Sequence, residues 1–317
     1  MADIIKTATR DAYGKALQEL GEKNDKLIVL DADLAAATKT GMFKKAFPDR
    51  FIDCGIAEAN MIGVAAGLAA SGYTVFASSF AMFAAGRAFE QIRNTLGYPG
   101  INVKIGATHA GISVGEDGAS HQCCEDIGLM RTIPGMTILN PADDIEARLA
   151  VLAAAESTGP VYMRFGRLAV PRVFDENYKF EIGKGVYLNK GTDVTIIATG
   201  LLVERAIAAV ELLKSRGISA ALINMATIKP IDRDIILDAA KTTGCIVTAE
   251  EHNVIGGLGS AVAEVTAECC PVPVLRVGVE DTFGKSGPAL ELLEIFGLNA
   301  ENIAAKAERA IALKNAR

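Results

Sequence analysis

Residues 108–122 read Thr-His-Ala-Gly-Ile-Ser-Val-Gly-Glu-Asp-Gly-Ala-Ser-His-Gln. Two of the three histidines of the chain, His109 and His121, stand in this stretch, with Asp117 between them. Imidazole moves a proton near neutral pH and donates hydrogen bonds to a developing oxyanion, and a carboxylate accepts from substrate hydroxyls. Gly111, Gly115 and Gly118 leave the backbone free to fold such groups into one pocket. The strand-like run Ile101–Gly106 leads into the loop, and α/β proteins place their chemistry in loops that follow strands. A second stretch upstream reads Asp53-Cys-Gly-Ile-Ala-Glu-Ala-Asn-Met61, and its Glu58 opens an alanine- and glycine-rich helical pattern. On residue types alone, the loop also reads as a glycine-rich surface turn with solvated histidines. Glu58 likewise reads as a carboxylate stabilised by a helix dipole.

The pattern His-x5-Gly-Glu-Asp-Gly-x2-His-Gln resembles the substrate loop of transketolases, thiamine-diphosphate enzymes that move two-carbon ketol units. The Asp53–Met61 stretch resembles the segment that carries the cofactor-activating glutamate of the same family. Both motifs stand in the family's order, and the similarity runs through the whole chain, over the C-terminal half of a full-length transketolase. The resemblance implies that Glu58 hydrogen-bonds N1′ of the cofactor's aminopyrimidine, so that the base on that ring can remove the proton from thiazolium C2. A buried carboxyl suits this task because it shares a proton readily with a weakly basic ring nitrogen.

Further positions carry implied roles. Phe80 and Phe83 match the aromatic slot for the pyrimidine, and Ala77 stands where the family has a third aromatic. Without the family they read as core packing. Asp33, in Asp31-Ala-Asp-Leu34, matches an aspartate near the thiazolium end, and otherwise reads as a turn or helix cap. Arg10 and Arg164 match arginines that clamp a substrate phosphate, a task suited to the planar guanidinium. His109 matches a phosphate-contacting histidine, Asp117 a residue that recognises a substrate hydroxyl, and His121 one beside the ketol oxygen. Ala35-Ala-Ala-Thr38 replaces a family serine that touches phosphate, with Thr38 as the substitute. The turn Glu250-Glu-His-Asn-Val-Ile-Gly-Gly-Leu-Gly-Ser-Ala261, with His252, offers a weak dinucleotide signal and reads better as a structural turn or interface.

These groups need a scaffold. Strand signals at Leu27–Leu30, Arg50–Asp53, Tyr73–Ala77, Ile101–Gly106, Met136–Leu139 and Pro160–Arg164 alternate with helix signals at 10–20, 57–70, 84–96, 126–132 and 143–156. This predicts an α/β fold with a mostly parallel sheet covered by helices on both faces. Pro171, Asp175, Asn177, Gly183, Gly185 and Gly191 then punctuate the chain, and a second alternation starts at Asp193. The expected organisation is two doubly wound domains. Residues 1–170 form a pyrimidine-binding domain, 171–191 a linker, and 192–317 a smaller α/β domain like the transketolase C-terminal one.

The 317 residues are half hydrophobic and carry a net charge of −6, so sizeable cores form and no basic footprint for nucleic acid exists. Six cysteines without a Cys-x2-Cys read as reduced thiols of a cytoplasmic protein. The first residues show no long apolar run, which points away from secretion and the membrane. No Gly-Asp-Gly occurs in the sequence, the motif with which the family holds pyrophosphate through magnesium. Glu116-Asp-Gly118 belongs to the substrate loop instead. The resemblance therefore implies a C-terminal subunit of a split transketolase, with no metal ligand of its own. An N-terminal subunit would supply the Gly-Asp-Gly site with Mg (or Ca), in an α2β2 assembly that includes self-association. The implied reaction moves a ketol unit from a ketose phosphate to an aldose phosphate through the thiamine-diphosphate adduct, as in pentose phosphate metabolism. A deoxyxylulose-phosphate synthase, a 2-oxoacid dehydrogenase β subunit and a noncatalytic regulatory or scaffolding homologue are the alternatives.

Overall fold

The computed structural model describes residues 5–316, so the N-terminal Met1–Ile4 and Arg317 lie outside the described residues. Two main sheets organise the chain. The first has seven strands in the order Thr227–Lys229, Thr137–Leu139, Val161–Arg164, Val103–Thr108, Thr74–Phe80, Leu27–Asp31 and Phe51–Asp53. All neighbours are parallel except the first pair, which is antiparallel. From Leu27–Asp31 the chain passes to Phe51–Asp53 on one side and then to Thr74–Phe80 on the other. That reversal opens a crevice beyond the carboxyl ends of Leu27–Asp31 and Thr74–Phe80, the position where open α/β sheets bind ligands.

Helices cover both faces of this sheet. Thr9–Lys23 and Asp144–Glu156 pack on one face, where Tyr13, Leu17, Phe76, Val151 and Phe165 are fully buried. Burying a side chain such as Phe76 contributes about 1.5–3 kcal/mol. Glu58–Ala70 lies on the opposite face, with Met61, Ile62, Ala65 and Ala66 inward. The segment expected as one helix over 84–96 is instead two wide π-helical turns, Met82–Arg87 and Ile92–Gly97, around a single α turn, Phe89–Gln91. Such widened turns concentrate at functional sites.

The second sheet has the order Val274–Val279, Ile246–Asn253, Val194–Ala198, Ala220–Asn224 and Val186–Asn189. Its strands are parallel apart from Val186–Asn189 at the edge. The α/β class and its two parallel-sheet halves follow the alternation of the sequence. The boundary between them differs from the expected linker. Val186–Asn189, inside 171–191, is a strand of the second sheet, and Ala169–Pro171 pairs antiparallel with Lys6–Ala8. The halves also exchange structure, because Thr227–Lys229 of the second completes the edge of the first sheet. One hydrophobic cluster runs from Ile62, Ile105 and Ile138 to Ile223, Ile236 and Val262, so the halves share a core.

Candidate active site

The crevice at the strand reversal is a cleft of about 440 Å³ lined by Ala32, Asp33, Leu34, Ile56, Glu58, Phe83, Arg87, Ser120 and His121. Four of the residues singled out in the sequence, Asp33, Glu58, Phe83 and His121, meet there from four separate segments of the chain. Glu58 is the first residue of its helix and is 1% exposed. Its carboxylate accepts from Arg87 Nη1 at 3.2 and 3.1 Å, and the Arg87 guanidinium lies 4.8 Å from the centre of the Phe83 ring. Phe80 and Phe83 stand nearly parallel, 14° apart at 5.8 Å. His121 meets Phe83 edge-on at 5.3 Å, and its Nδ1 is paired with Ser120 Oγ at 3.0 Å. A buried carboxylate beside two near-parallel aromatic faces fits an aminopyrimidine ring, which stacks through its face and hydrogen-bonds through its edge.

The turn that carries Asp33 is organised by its neighbour. Asp31 is fully buried and accepts from Leu34 N at 2.6 Å, Thr38 Oγ1 at 2.7 Å and Thr40 Oγ1 at 2.8 Å. Burial pushes its carboxyl up to about 6, against the opposing pull of those donors. Asp33 takes a left-handed φ of 62° and reaches the cleft; the turn is tied by Asp31, so the alternative reading of Asp33 as a helix cap does not hold. Thr38 donates its hydroxyl to Asp31 and is buried, which leaves it no phosphate to touch.

His109 stacks on Phe80 at 3.8 Å. Its Nε2 lies 2.8 Å from Arg10 Nη1 and its Nδ1 2.9 Å from Thr108 Oγ1. A guanidinium only donates, so Nε2 accepts and Nδ1 carries the proton. Burial, and then the charges of Arg10, Arg167, Lys39 and His121, push His109 down to about 3 and keep it neutral. It therefore orients Arg10, which also donates to Ala37 O at 3.0 Å. Asp117 is exposed at the tip of the loop.

Arg164 departs from its expected role. It is 3% exposed and donates to Asp126 Oδ2 at 2.9 Å, Cys123 O at 3.2 Å and Glu251 O at 2.8 Å. A guanidinium sealed in this way is a structural tie and does not clamp a phosphate. The arginine beside Arg10 and His109 is Arg167, three residues on, which donates to Glu116 Oε2 at 3.2 Å and to Val114 O. Arg10, Lys39 and Arg167 make the one end of the site basic. The sequence signal for Arg167 is its place after the strand in Arg164-Phe-Gly-Arg167. Arg87 has no signal beyond its spacing of four from Phe83.

The Glu250–Ala261 turn is structural. Glu250 accepts from Leu258 N at 2.7 Å and Gly259 N at 2.8 Å, so the helix N-terminus that a dinucleotide would use is already capped. His252 is buried, accepts from Gly128 N at 3.2 Å and donates Nδ1–H to Asn253 O at 2.7 Å. Among the described residues, no group of three or more His, Cys, Asp or Glu is placed to hold a metal ion, and no helix is long and apolar enough to cross a membrane.

Residues 5–172 match the transketolase pyrimidine-binding domain and residues 183–303 the transketolase C-terminal domain. The chain belongs to the transketolase family. That family depends on thiamine diphosphate, in keeping with the shape of the cleft. A transketolase C-terminal section of Methanocaldococcus jannaschii is 54% identical over 298 residues, covering 93% of this chain and 93% of that protein. The 6-deoxy-6-sulfo-D-fructose transketolase subunit SqwH of Clostridium sp. is 46% identical over 308 residues, covering 97% of this chain and 96% of that protein. A solved structure described as a split gene transketolase, inactive beta4 tetramer, superimposes with a TM-score of 0.89 at 53% identity, covering 97% of this chain and 99% of that one. Human transketolase is matched over only 48% of its length, at 40% identity and 94% coverage of this chain.

Proposed function

We propose that this chain is the C-terminal section of a split transketolase. In this reading it moves a two-carbon ketol unit from an anionic ketose to an aldose, as in pentose phosphate metabolism. The observation that carries the reading is the convergence of buried Glu58, Phe83 and His121 on one cleft, with Phe80 stacked behind Phe83 and a basic cluster of Arg10, Lys39 and Arg167 around His109. Thiamine diphosphate, when bound, supplies a carbon nucleophile for the substrate carbonyl. Glu58 would hold a proton at the pyrimidine edge, and Phe83, backed by Phe80, would cover the ring and exclude water. His121 donates to the oxygen of the reacting carbonyl, Asp117 accepts from a substrate hydroxyl, and the basic cluster takes the anionic end of the sugar.

In the same reading a section carrying Gly-Asp-Gly, a motif this sequence does not contain, completes the cleft, in an α2β2 assembly that also pairs two copies of this chain. Two observations support association. The helix Glu58–Ala70 is apolar all round, yet Asn60, Gly63 and Gly67 on one flank are exposed, and nothing lies within 4 Å of a side chain built at either glycine. Ile56, at the rim of the cleft, is 77% exposed. The relatives that match end to end include a named subunit and a split-gene protein. The six free cysteines suit a reducing, cytoplasmic setting.

The test is a transfer assay on the chain co-purified with a transketolase N-terminal section. Conversion of xylulose 5-phosphate plus ribose 5-phosphate, with little action on pyruvate, is the expected result. His121, which lines the cleft, is left without a polar partner by a methyl group, at a cost of about 1–3 kcal/mol. Rapid pyruvate decarboxylation without ketol transfer would favour the synthase or dehydrogenase alternatives, and an assembled, inert complex the noncatalytic one.

A further inference from the structure

Every residue lining the cleft lies between Ala32 and His121, so the second half of the chain gives it no side chain. That half nevertheless grips the loop that bears His109, Asp117 and His121. Glu251, at the carboxyl end of the strand Ile246–Asn253, is 3% exposed and accepts from Ser113 N at 2.6 Å. It also fills the space beside Gly111, where an added Cβ would lie 2.3 Å from the Glu251 carboxyl carbon at a backbone φ of +81°. The Glu251 carbonyl takes Arg164, which binds Cys123 O at the far end of the loop. Gln122 closes a second clip. Its Nε2 donates to Ile112 O at 3.1 Å and Gly115 O at 3.3 Å within the loop, and to Lys285 O at 3.0 Å across the junction. Gly118 packs against Ser286, and Gly284 against the Gln122 amide, each too tightly for a Cβ.

The spacing of these grips matters. Two of the held residues, Gly118 and Gln122, bracket Ser120 and His121, the loop residues that line the cleft, and Gly111 and Ser113 are held further back. A glycine-rich loop gains about 1–2 kcal/mol per residue of conformational entropy when released, so a few hydrogen bonds decide whether it has one shape. We propose that the second domain acts on the reaction by holding the histidine loop in its working shape, and that Glu251 is a positioning residue for His109, Asp117 and His121. The catalytic consequence of this grip rests on the proposed transketolase reaction.

Hydrogen exchange read by mass spectrometry on the full chain tests this. In the wild type, amides of 111–122 should be protected to the level of the strand Val194–Ala198 rather than of an exposed loop. Glu251→Ala should speed their exchange by about tenfold or more while Val194–Ala198 keeps its rate. Glu251→Gln, whose amide oxygen still accepts from Ser113, should restore most of the protection. In the assembled enzyme the alanine variant should lose kcat/KM in the same order. Unprotected loop amides in the wild type would overturn the proposal without any variant. So would an unchanged loop in Glu251→Ala, or acceleration spread evenly over both domains. A complex that lacks ketol transfer altogether defeats the functional reading and leaves the exchange result intact.

Discussion

Glu58 is almost closed to solvent, and its carboxylate faces Arg87, a half-exposed guanidinium that can swing aside. The cleft therefore opens onto a buried carboxylate beside one half-exposed guanidinium. Glu58→Gln keeps the shape but cannot exchange the proton, and turnover of the assembled enzyme should fall by at least about 100-fold with the unfolding curve unmoved. Near wild-type turnover would take Glu58 out of the mechanism. The two arginines after the strand Val161–Arg164 make a second, paired test. Arg164→Ala strands Asp126 in the core and should cost about 3–5 kcal/mol of stability, read by urea denaturation. Arg167→Ala should leave stability alone and raise KM about tenfold or more for phosphorylated donors, but not for unphosphorylated ones. An equal rise for both donors would assign Arg167 to the loop rather than to the anion. Asp33, Glu58, Phe83 and His121 were legible through their match to the family's motifs, since strand and helix pattern alone reads them as turn, cap, core or solvated residues, and the structure brings the four to one cleft. The sequence could not separate Arg164 from Arg167, since what buries Arg164 is Asp126, 38 residues away in sequence.

The elements behind these residues were legible where the pattern was long. The parallel strands Leu27–Asp31, Val103–Thr108 and Val194–Ala198 are buried on both faces and mostly apolar, interrupted only by Asp31, Lys104, Thr108 and Thr195, and the sequence shows them as strands. Thr227–Lys229 and Val186–Asn189 were not legible, because a strand of three or four residues beside Pro230 or Gly185 has no period to read. What binds them is sheet register, which is a tertiary property. The widened turns Met82–Arg87 and Ile92–Gly97 were equally hidden, as the apolar spacing over 84–96 fits a regular helix. The helix Glu58–Ala70 has its own consequence. Its exposed flank at Gly63 and Gly67 accepts a closely packed neighbour only while those residues stay small. Gly63→Leu, which meets no atom within the chain, should leave the unfolding midpoint within about 1 kcal/mol of wild type while abolishing higher-order species in analytical ultracentrifugation. Unchanged assembly would place the contact surface elsewhere.

For the molecule as a whole, the junction between the halves carries a titratable lock. Glu146 is fully buried and accepts from Ala142 N at 2.7 Å, Tyr178 Oη at 2.8 Å and Asn224 Nδ2 at 2.7 Å, tying helix, connection and second sheet together. Burial, with Asp143 nearby, raises its carboxyl from 4.5 to about 7. The folded state thus holds the proton more tightly than the unfolded one, so this stability is full below pH 4.5 and lost as pH rises through about 7. The loss should be on the order of 2–3 kcal/mol, and Glu146→Gln should remove that part of the pH dependence from the thermal unfolding midpoint. A profile that is the same in wild type and variant would mean the carboxyl titrates normally. The central claim is that this molecule holds the pyrimidine half of a site completed by another section. It is tested most directly by calorimetric titration of thiamine diphosphate with Mg²⁺ into the chain alone and into the chain combined with a Gly-Asp-Gly-bearing section. Weak binding alone and tight, magnesium-dependent binding by the combination is the predicted result. Tight magnesium-dependent binding by the chain alone would contradict it.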